Sequence, residues 1–495
     1  MGPPIAWELE SPGGIRPAAI LPVSPGDEKS DPHGGSRRFR YDLRVTESRK
    51  NRRQTRVPSG RLERFARLGW MAGEFAAGGL VDGARRLVGS GPIDATSIFL
   101  SAPRAKKLAR RLSQLRGAAM KLGQLLSLEG DDLLPPEFAE ALAVLRATAD
   151  TMPASQVRRV LGRAYGKGWE RRFREFDFDP LAAASIGQVH AAVTSDGREV
   201  ALKIQYPGVA RSIDSDVDNL ASLLRLTRIL PVEVDISEIV GEAKRQLRQE
   251  ADYQLEAEHM ERYRALVADQ PGVRVPRVYQ DLTTRRVLAM ERAGGRPIED
   301  LRSPDHPQSL RDLAGEHLQR LMFRELFEFG FMQTDPNFAN YLLELEPIRL
   351  VLLDFGAARA FPPEFVERYR RMCRAMVACD REEVQRAALA IGYLGGSESE
   401  GRARALADLI LLIGEPLRYR GRYDFGSSRL AARAREAGFD LVVRHGFMRA
   451  PPPETIFLHR KLAGTFFLCA RIGARVDTHA LAAPYLGEGL EGERG

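Results

Sequence analysis

Cysteine is scarce in this sequence. Its 495 residues include three cysteines, Cys373, Cys379 and Cys469, scattered over the C-terminal part. Three separated thiols cannot build a disulfide framework, and their spacing does not resemble a zinc site. The sequence therefore indicates a protein of a reducing compartment.

Long apolar runs are also missing. No stretch of about 18 apolar residues occurs, so an ordinary transmembrane helix is not expected. Residues 1–30 carry four acidic side chains among many prolines and glycines, a composition unlike a signal peptide or an acid-poor transit peptide. We therefore expect a bacterial cytoplasmic protein, peripheral to the inner membrane. The mitochondrial matrix face is the alternative.

The remaining composition is that of a folded chain with a mild basic excess. Hydrophobic residues make up 44%, and 74 basic residues against 66 acidic ones give a net charge of +8. Much of the excess lies in residues 1–58, which lack periodicity and are predicted to form a flexible tail. Such a tail favours an anionic membrane surface first and nucleic acid second, although a merely solvated arm is equally consistent. No nucleic-acid function is expected from this tail alone.

Two helical segments are predicted after the tail. Residues 59–98 are amphipathic and rich in glycine, which is typical of a helix that contacts a membrane, a partner or its own domain. Residues 99–165 contain a helix with leucines at spacings of three and four, then a second helix after a double proline.

Farther along, the hydrophobic period changes and predicts an α+β fold. Short strands are expected around residues 176–178, 186–193, 200–205, 287–291 and 350–354, and long helices at 239–266 and 310–329. A small β-rich lobe at 166–293 precedes a larger helical lobe at 294–495. This order is that of a two-lobed protein kinase fold.

Lys203 is the first residue of this sequence with a clear chemical role. It ends a V-A-L-K strand, where kinase lysines bind the α- and β-phosphates of ATP and need a carboxylate partner. We choose Glu256, in the charged helix that follows, as this partner. An edge lysine and a solvated helix face are the simpler alternatives.

Two further segments complete a catalytic set. Asp335 and Asn340 have the spacing of the kinase catalytic loop, in which the aspartate orients the nucleophile or accepts its proton and the asparagine holds magnesium. Asp354 follows a hydrophobic strand in a D-F-G sequence and is the second predicted magnesium ligand. Each motif alone is weak, but their order predicts a kinase fold that binds ATP or ADP with Mg²⁺.

The phosphate-covering loop departs from ordinary kinases. Residues 182–190 read A-A-A-S-I-G-Q-V-H where a glycine-rich loop should lie, and alanine restricts the close backbone approach that glycine allows. The chain also lacks an Ala-Pro-Glu sequence after Asp354. A platform for docking a peptide substrate is therefore not expected.

These motifs together resemble the UbiB family of atypical kinases, which takes part in ubiquinone biosynthesis. Residues 120–124 resemble its K-x-G-Q motif, Glu250-Ala251-Asp252 its E-x-D motif, and residues 182–188 its alanine-rich loop. Residues 116–119, 332–338 and 459–462 resemble the coenzyme-Q-kinase branch. The resemblance extends over residues 55–485.

The resemblance implies that the K-x-G-Q helix covers the active site and blocks a protein substrate. Lys121, with Gly123 and Gln124, would then face Glu250 and Asp252 across the nucleotide pocket, and these five residues would regulate access. Two groups are expected to bind nucleotide: Ala183, Ala184, Ser185 and Gln188 near the phosphates, and Met290, Glu291 and Ala293 near adenine. His190, His317 and His459 are expected to be structural.

Three functional hypotheses follow. The first is an Mg-ATP-dependent atypical kinase or ATPase that supports ubiquinone biosynthesis at a membrane, with pathway lipids or enzymes as partners. The second is a true protein kinase, and the third is a nucleotide-gated scaffold that presents lipid without phosphotransfer. A homodimer is a further expectation for the assembly.

Overall fold

The computed structural model describes residues 151–226, 237–396, 398–447 and 452–487. The predicted tail, the glycine-rich helix and most of the K-x-G-Q extension, with Lys121, Gly123 and Gln124, lie outside the described residues. The predictions made for them stay predictions.

The strands form one large sheet in the first half and smaller sheets in the second. In chain order they are β1 Phe173–Phe176, β2 Ala182–Ala183, β3 Gly187–Thr194, β4 Glu199–Gln205, β5 Val273–Arg274, β6 Val287–Glu291, β7 Arg296–Pro297, β8 Phe331–Gln333, β9 Tyr341–Leu345, β10 Ile348–Leu352, β11 Ala358–Ala360, β12 Tyr423–Asp424 and β13 Arg475–Val476. The first sheet has the antiparallel order β1-β3-β4-β6, and β2 pairs with β3. A second sheet has the order β5-β10-β9-β7.

Helices cover the sheet and build the second half of the described chain. In chain order they are α1 Ala154–Tyr165, α2 Val209–Leu226, α3 Ser237–Glu250, α4 Tyr253–Leu266, α5 Gln308–Phe327, α6 Pro363–Ala378, α7 Arg381–Ile391, α8 Glu400–Ile413, α9 Glu415–Arg418, α10 Leu430–Val443, α11 Pro453–Ile472 and α12 Thr478–Leu486. Within the described ranges, no helix is both long and apolar enough to cross a membrane. The predicted α+β class and kinase-like order of elements are confirmed.

Alternation along β4 gives the first sheet two buried faces. Val200, Leu202 and Ile204 point to one side and pack with Met152 and residues of α1. Ala201 and Lys203 point to the other side, toward α4. Because a strand places successive side chains on opposite faces, this register decides which residues can reach the catalytic site.

The charged segment predicted as one helix over residues 239–266 is two helices. The chain leaves helical geometry at Asp252, whose φ of −107° and ψ of 93° are extended. The Asp252 carboxylate accepts hydrogen bonds from the backbone N–H groups of Gln254 and Leu255. An aspartate at this position caps the donors at the start of a helix, so a new helix begins here. The single-helix prediction was wrong at this residue.

The second half is organised around α5 and the helices that follow it. Residues of α5 contribute to two cores, one shared with the nucleotide-facing side of the sheet and one among α6, α7, α8 and α11. Helix α11 also carries His459, whose ring contacts the Tyr393 hydroxyl at 2.6 Å. Burial lowers the pKa of His459 to about 4.

His459 makes a testable contribution to acid sensitivity. The folded protein keeps the ring neutral to about pH 4, whereas the unfolded chain binds a proton near its ordinary pKa of about 6.5. Stability contributed by this residue is therefore complete above pH 6.5 and is lost as the pH falls toward 4. The full difference would be about 3 kcal/mol, and partial solvent contact reduces our expectation to about 2 kcal/mol.

The measurement is the free energy of unfolding from pH 7 to pH 4 for the natural chain and for His459→Gln. The variant keeps a polar partner for Tyr393 and should lose less stability over this interval. Identical pH profiles for the two proteins would contradict the prediction.

Candidate active site

Lys203 and Glu256 form a buried ion pair at the centre of the site. The Lys203 Nζ lies 2.6 Å from Glu256 Oε1, and the two residues are 6% and 1% exposed. Strand β4 supplies the lysine, and the first turn of α4, capped by Asp252, supplies the glutamate. The structure brings the two residues together, as their predicted partnership requires.

Asp354 joins this pair as a third charge. Its Oδ2 lies 3.0 Å from Lys203 Nζ, and its Oδ1 accepts a hydrogen bond of 3.0 Å from the Gly356 backbone. Burial alone would lower the pKa of Lys203, but Asp354 and Glu256 together raise it well above its ordinary value. Burial raises the pKa of Glu256 to about 7, against the attraction of Lys203. The lysine is therefore held as a cation facing the phosphate-binding side.

The D-F-G segment is anchored by its phenylalanine. Phe355 is fully buried, and its ring centroid lies 4.8 Å from that of Tyr263 in α4. Its backbone N–H donates to Glu256 Oε1 at 3.4 Å. The position of Asp354 is therefore coupled to the same helix that carries the partner of Lys203.

Asp335 and Asn340 lie on one loop between β8 and β9. The Asn340 side-chain amide donates to the Asp335 carbonyl at 3.1 Å and to Asp335 Oδ2 at 3.2 Å. The Asn340 carbonyl accepts from the Leu353 backbone at 3.0 Å, beside Asp354. The structure thus brings together Lys203, Glu256, Asp335, Asn340 and Asp354, the five predicted catalytic and metal residues that lie among the described residues.

The donor set of Asn340 and Asp354 fits a magnesium ion. The amide nitrogen of Asn340 donates to Asp335, so the side-chain oxygen is the atom that would bind a metal. Magnesium needs only one or two protein oxygens when nucleotide phosphates and water complete its coordination. In the part of the chain that the structure describes, no group of three or more His, Cys, Asp or Glu could hold a metal by itself.

The alanine-rich loop is a tight hairpin held by the E-x-D glutamate. Ala183 pairs with Gln188, and the Ala184 backbone donates to the Gly187 carbonyl at 2.8 Å. The Ser185 hydroxyl donates to Glu250 Oε2 at 3.1 Å. The Glu250 side chain also packs beside Gly356, where an added Cβ would lie 3.3 Å from its Cγ. Glu250 therefore links the phosphate-covering loop to the D-F-G segment.

Gln188 does not face the nucleotide side, which corrects the sequence-based prediction. It lies opposite Ile204 in the sheet, on the face away from Lys203. Its Oε1 accepts from the Met152 backbone at 2.8 Å, and its Nε2 contacts the ring of His190 at 2.8 Å. A fully buried amide engaged in this way positions the hairpin from behind and cannot approach the phosphates.

Other predicted residues take distinct places. Asp252 caps α4 and pairs with Arg285 at 3.3 Å, so the two E-x-D acids act at different positions. Met290 is buried at the end of β6, and the carboxylate of Glu291 pairs with Arg274 at 2.6 Å. Ala293 lies in the link between β6 and β7. Adenine contacts from this link stay a prediction, as does the role of Lys121.

Arg460 and Lys461 were missed as site residues. In the sequence, residues 459–462 were noted only because they resemble the coenzyme-Q-kinase branch. The structure places Arg460 in an ion pair with Asp335. Lys461 pairs with Glu325 at 2.9 Å in a fully buried position. Their partners lie more than a hundred residues away in sequence, so no local spacing could have predicted these contacts.

These elements define a protein-kinase-like nucleotide site. A lysine–glutamate pair, a D-F-G aspartate and an Asp/Asn catalytic loop converge between a β-rich and a helical half, which is the arrangement that phosphoryl transfer by kinases uses. The loop over the phosphates and the segment after Asp354 mark this kinase as an atypical one.

Comparisons with known proteins identify the family. A family model described as the ABC1 atypical kinase-like domain matches residues 144–388. The atypical kinase COQ8B, mitochondrial, of Rattus norvegicus is 39% identical over 426 residues, which cover 86% of this chain and 80% of that protein. The atypical kinase COQ8, mitochondrial, of Saccharomyces cerevisiae is 36% identical over 425 residues, which cover 85% and 83%.

A solved structure shows the same fold. It is the complex of Rv3197 with erythromycin from Mycobacterium tuberculosis, with a TM-score of 0.54 and 28% identity over 78% of this chain and 97% of that one. The chain belongs to the ABC1 family of atypical kinases, also called UbiB. Its COQ8 members serve coenzyme Q biosynthesis, and the predicted family is confirmed.

Gly187 offers a test of the hairpin. A Cβ at this position would lie 2.5 Å from the Ile204 carbonyl oxygen and 2.7 Å from the Tyr253 hydroxyl. Because the first of these is backbone, the strand itself must move, and Gly187→Ala should cost about 2 kcal/mol of stability. It should also weaken ADP binding, since the alanine-rich loop leads directly into this strand.

Chemical denaturation and ADP titration check this, with Gly162→Ala in α1 as the control. A Cβ on Gly162 meets only the Trp169 ring, at 3.8 Å, so alanine there should be neutral or stabilise the helix by up to about 1 kcal/mol. Equal stability and equal ADP affinity for both variants would refute the argument.

Proposed function

We propose that this chain is an Mg-ATP-dependent atypical kinase or ATPase that acts at a membrane surface and on or with a lipid or small molecule of the ubiquinone pathway. The observation that carries the proposal is the placement of Lys203 within 3.0 Å of both Glu256 and Asp354, beside a loop that presents Asp335 and Asn340. A protein that only binds nucleotide would not need Asp335.

Each residue has a defined part in the proposed reaction. Lys203 binds the phosphates of ATP, and Glu256 keeps the lysine in place. Asp354 and Asn340 would hold a magnesium ion, which would neutralise charge on the phosphates. Asp335 orients the hydroxyl group or water that attacks the terminal phosphate.

The short segment after Asp354 supports a small acceptor over a peptide. From Gly356 the chain runs directly into β11, which pairs with β8, and α6 begins at Pro363. Only a few residues separate the D-F-G sequence from this helix, so there is no long loop on which a peptide could dock. The expected K-x-G-Q cover would restrict protein substrates further.

Location and assembly are part of the same proposal. The rat and yeast relatives are named as mitochondrial proteins. We propose that this chain works at the periphery of a quinone-containing membrane, either the bacterial inner membrane or the matrix face of its mitochondrial counterpart. A homodimer stays a prediction from the sequence.

The test is ATP hydrolysis by the full purified chain with magnesium, with and without vesicles of anionic phospholipid. Asp354→Asn should lower turnover on the order of 100-fold or more, because the metal loses its carboxylate. Asp408→Asn removes a carboxylate that pairs with Arg381 at the surface and should leave turnover unchanged.

The outcomes separate the three hypotheses. Vesicle-stimulated hydrolysis that Asp354→Asn abolishes supports the proposal. Nucleotide binding without turnover under every condition would favour the nucleotide-gated scaffold, and transfer of labelled phosphate to a protein would favour a protein kinase.

A further inference from the structure

Helix α11 packs directly on the catalytic loop. Arg460 forms an ion pair with Asp335 Oδ1, and the arginine side chain is 8% exposed. One turn later, a Cβ added to Gly464 would lie only 2.0 Å from Pro336 Cγ. The rings of Phe338 and Phe467 then meet edge to face, with centroids 6.3 Å apart. The helix thus contacts the loop at three successive points.

Lys461 anchors the same helix beneath the loop. Its Nζ lies 2.9 Å from Glu325 and 3.3 Å from both Gln333 Oε1 and the Tyr341 hydroxyl. Gln333 ends β8 and Tyr341 begins β9, so the lysine contacts the residues on either side of the catalytic loop. Consecutive residues on a helix point about 100° apart, which lets Arg460 reach the loop while Lys461 holds its base.

Glu325, the partner of Lys461, has further contacts. Glu325 also accepts hydrogen bonds from the Tyr263 hydroxyl at 2.6 Å and from the Gln333 backbone at 2.8 Å. Burial raises the pKa of Glu325, and Lys461 opposes this rise. A buried ion pair resists displacement, since losing one partner costs about 3–5 kcal/mol. The helix is therefore a rigid support for Arg460.

We propose that Arg460 is a positioning residue for phosphoryl transfer that acts through Asp335. Arg460 holds Oδ1 of the carboxylate, and Asn340 contacts Oδ2 at the longer distance of 3.2 Å. The guanidinium is a planar and permanently charged donor, which suits it to fix the plane of a carboxylate. Oδ2 is then the oxygen that faces the acceptor. This inference rests on the proposed function.

The proposed transfer forms one bond to phosphorus, breaks another and moves one proton. The acceptor O–H donates its hydrogen bond to Asp335 Oδ2. As the acceptor oxygen bonds to the terminal phosphorus of ATP, the bond from that phosphorus to the bridging oxygen of ADP breaks. The proton passes from the acceptor oxygen to Oδ2, while Arg460 stays on Oδ1 and keeps the carboxylate from rotating.

The experiment is a double-mutant cycle on the full chain. Arg460→Met should lower kcat by about 10- to 100-fold, because misplacement of a reacting group by about 1 Å costs that much. KM for ATP and the ADP-induced shift in melting temperature should stay within about twofold of the natural chain. Arg460→Lys, which keeps the charge but not the fork, should give an intermediate kcat.

The decisive comparison is in the Asp335→Asn background. If Arg460 acts through Asp335, Arg460→Met should cost less than about twofold there, since residues that act as a unit are not additive. An equal loss in both backgrounds would overturn the proposal and indicate direct contact with the phosphates. If Asp335→Asn leaves no measurable turnover, Arg460→Met in the natural chain is the test. A loss of ADP affinity as large as the loss of kcat would then overturn the proposal.

A matched glycine pair tests the support from α11. Gly464→Ala pushes the helix from Pro336 and should lower kcat with nucleotide affinity retained. Gly438→Ala, in α10, meets nothing within 4 Å and should leave kcat unchanged. Normal turnover by Gly464→Ala would contradict the proposal. A different result would overturn the proposed function itself: ATP hydrolysis by Asp354→Asn at the natural rate.

Discussion

Lys203, Glu256 and Asp354 come from a strand, a helix and a loop that are far apart in sequence, and they meet as a buried ion pair with a third, partly exposed charge. Burying a single one of them would be very costly, and breaking a buried pair by removing one partner costs about 3–5 kcal/mol. Lys203 therefore needs both carboxylates at contact distance, and each carboxylate needs the lysine. This requirement fixes the sheet, α4 and the D-F-G segment relative to one another. The nucleotide side of the site is built on that arrangement.

The acceptor side depends on a second buried pair of the same kind. Lys461 and Glu325 lie under the catalytic loop, almost without solvent exposure. Here the charges come from α5 and α11, so the C-terminal helices are part of the site although they carry no familiar kinase motif. The Lys203–Glu256 pair positions the cation that would bind phosphate. The Lys461–Glu325 pair supports the loop that carries Asp335.

The E-x-D motif shows how one short sequence can serve both needs. Glu250 binds the alanine-rich hairpin through Ser185 and packs beside Gly356. Asp252, two residues later, ends the preceding helix and caps the one that carries Glu256. The motif thus connects the phosphate-covering loop to the ion cluster. The extended backbone at Asp252 and the charges of the motif therefore both help to place Glu256.

The sequence predicted well wherever local spacing carries the chemistry. The backbone within a few residues sets three features: Lys203 in its V-A-L-K strand, the Asp335–Asn340 interval, and Asp354 after a buried strand. The structure brings them together as expected. The prediction of a single helix over residues 239–266 was wrong. The Asp252 side chain caps a new helix and so divides a segment whose periodicity looked continuous.

Two features could not be predicted from the sequence. The face on which Gln188 lies depends on the register of β3 against β4, and a shift of one residue would reverse it. The contact of Arg460 with Asp335 depends on how α11 packs against a loop 125 residues earlier. By itself the sequence determined the fold class, the family and the local catalytic motifs, since these depend on neighbours along the chain. Only the tertiary structure decided which side chains share the site, because that depends on packing between distant elements.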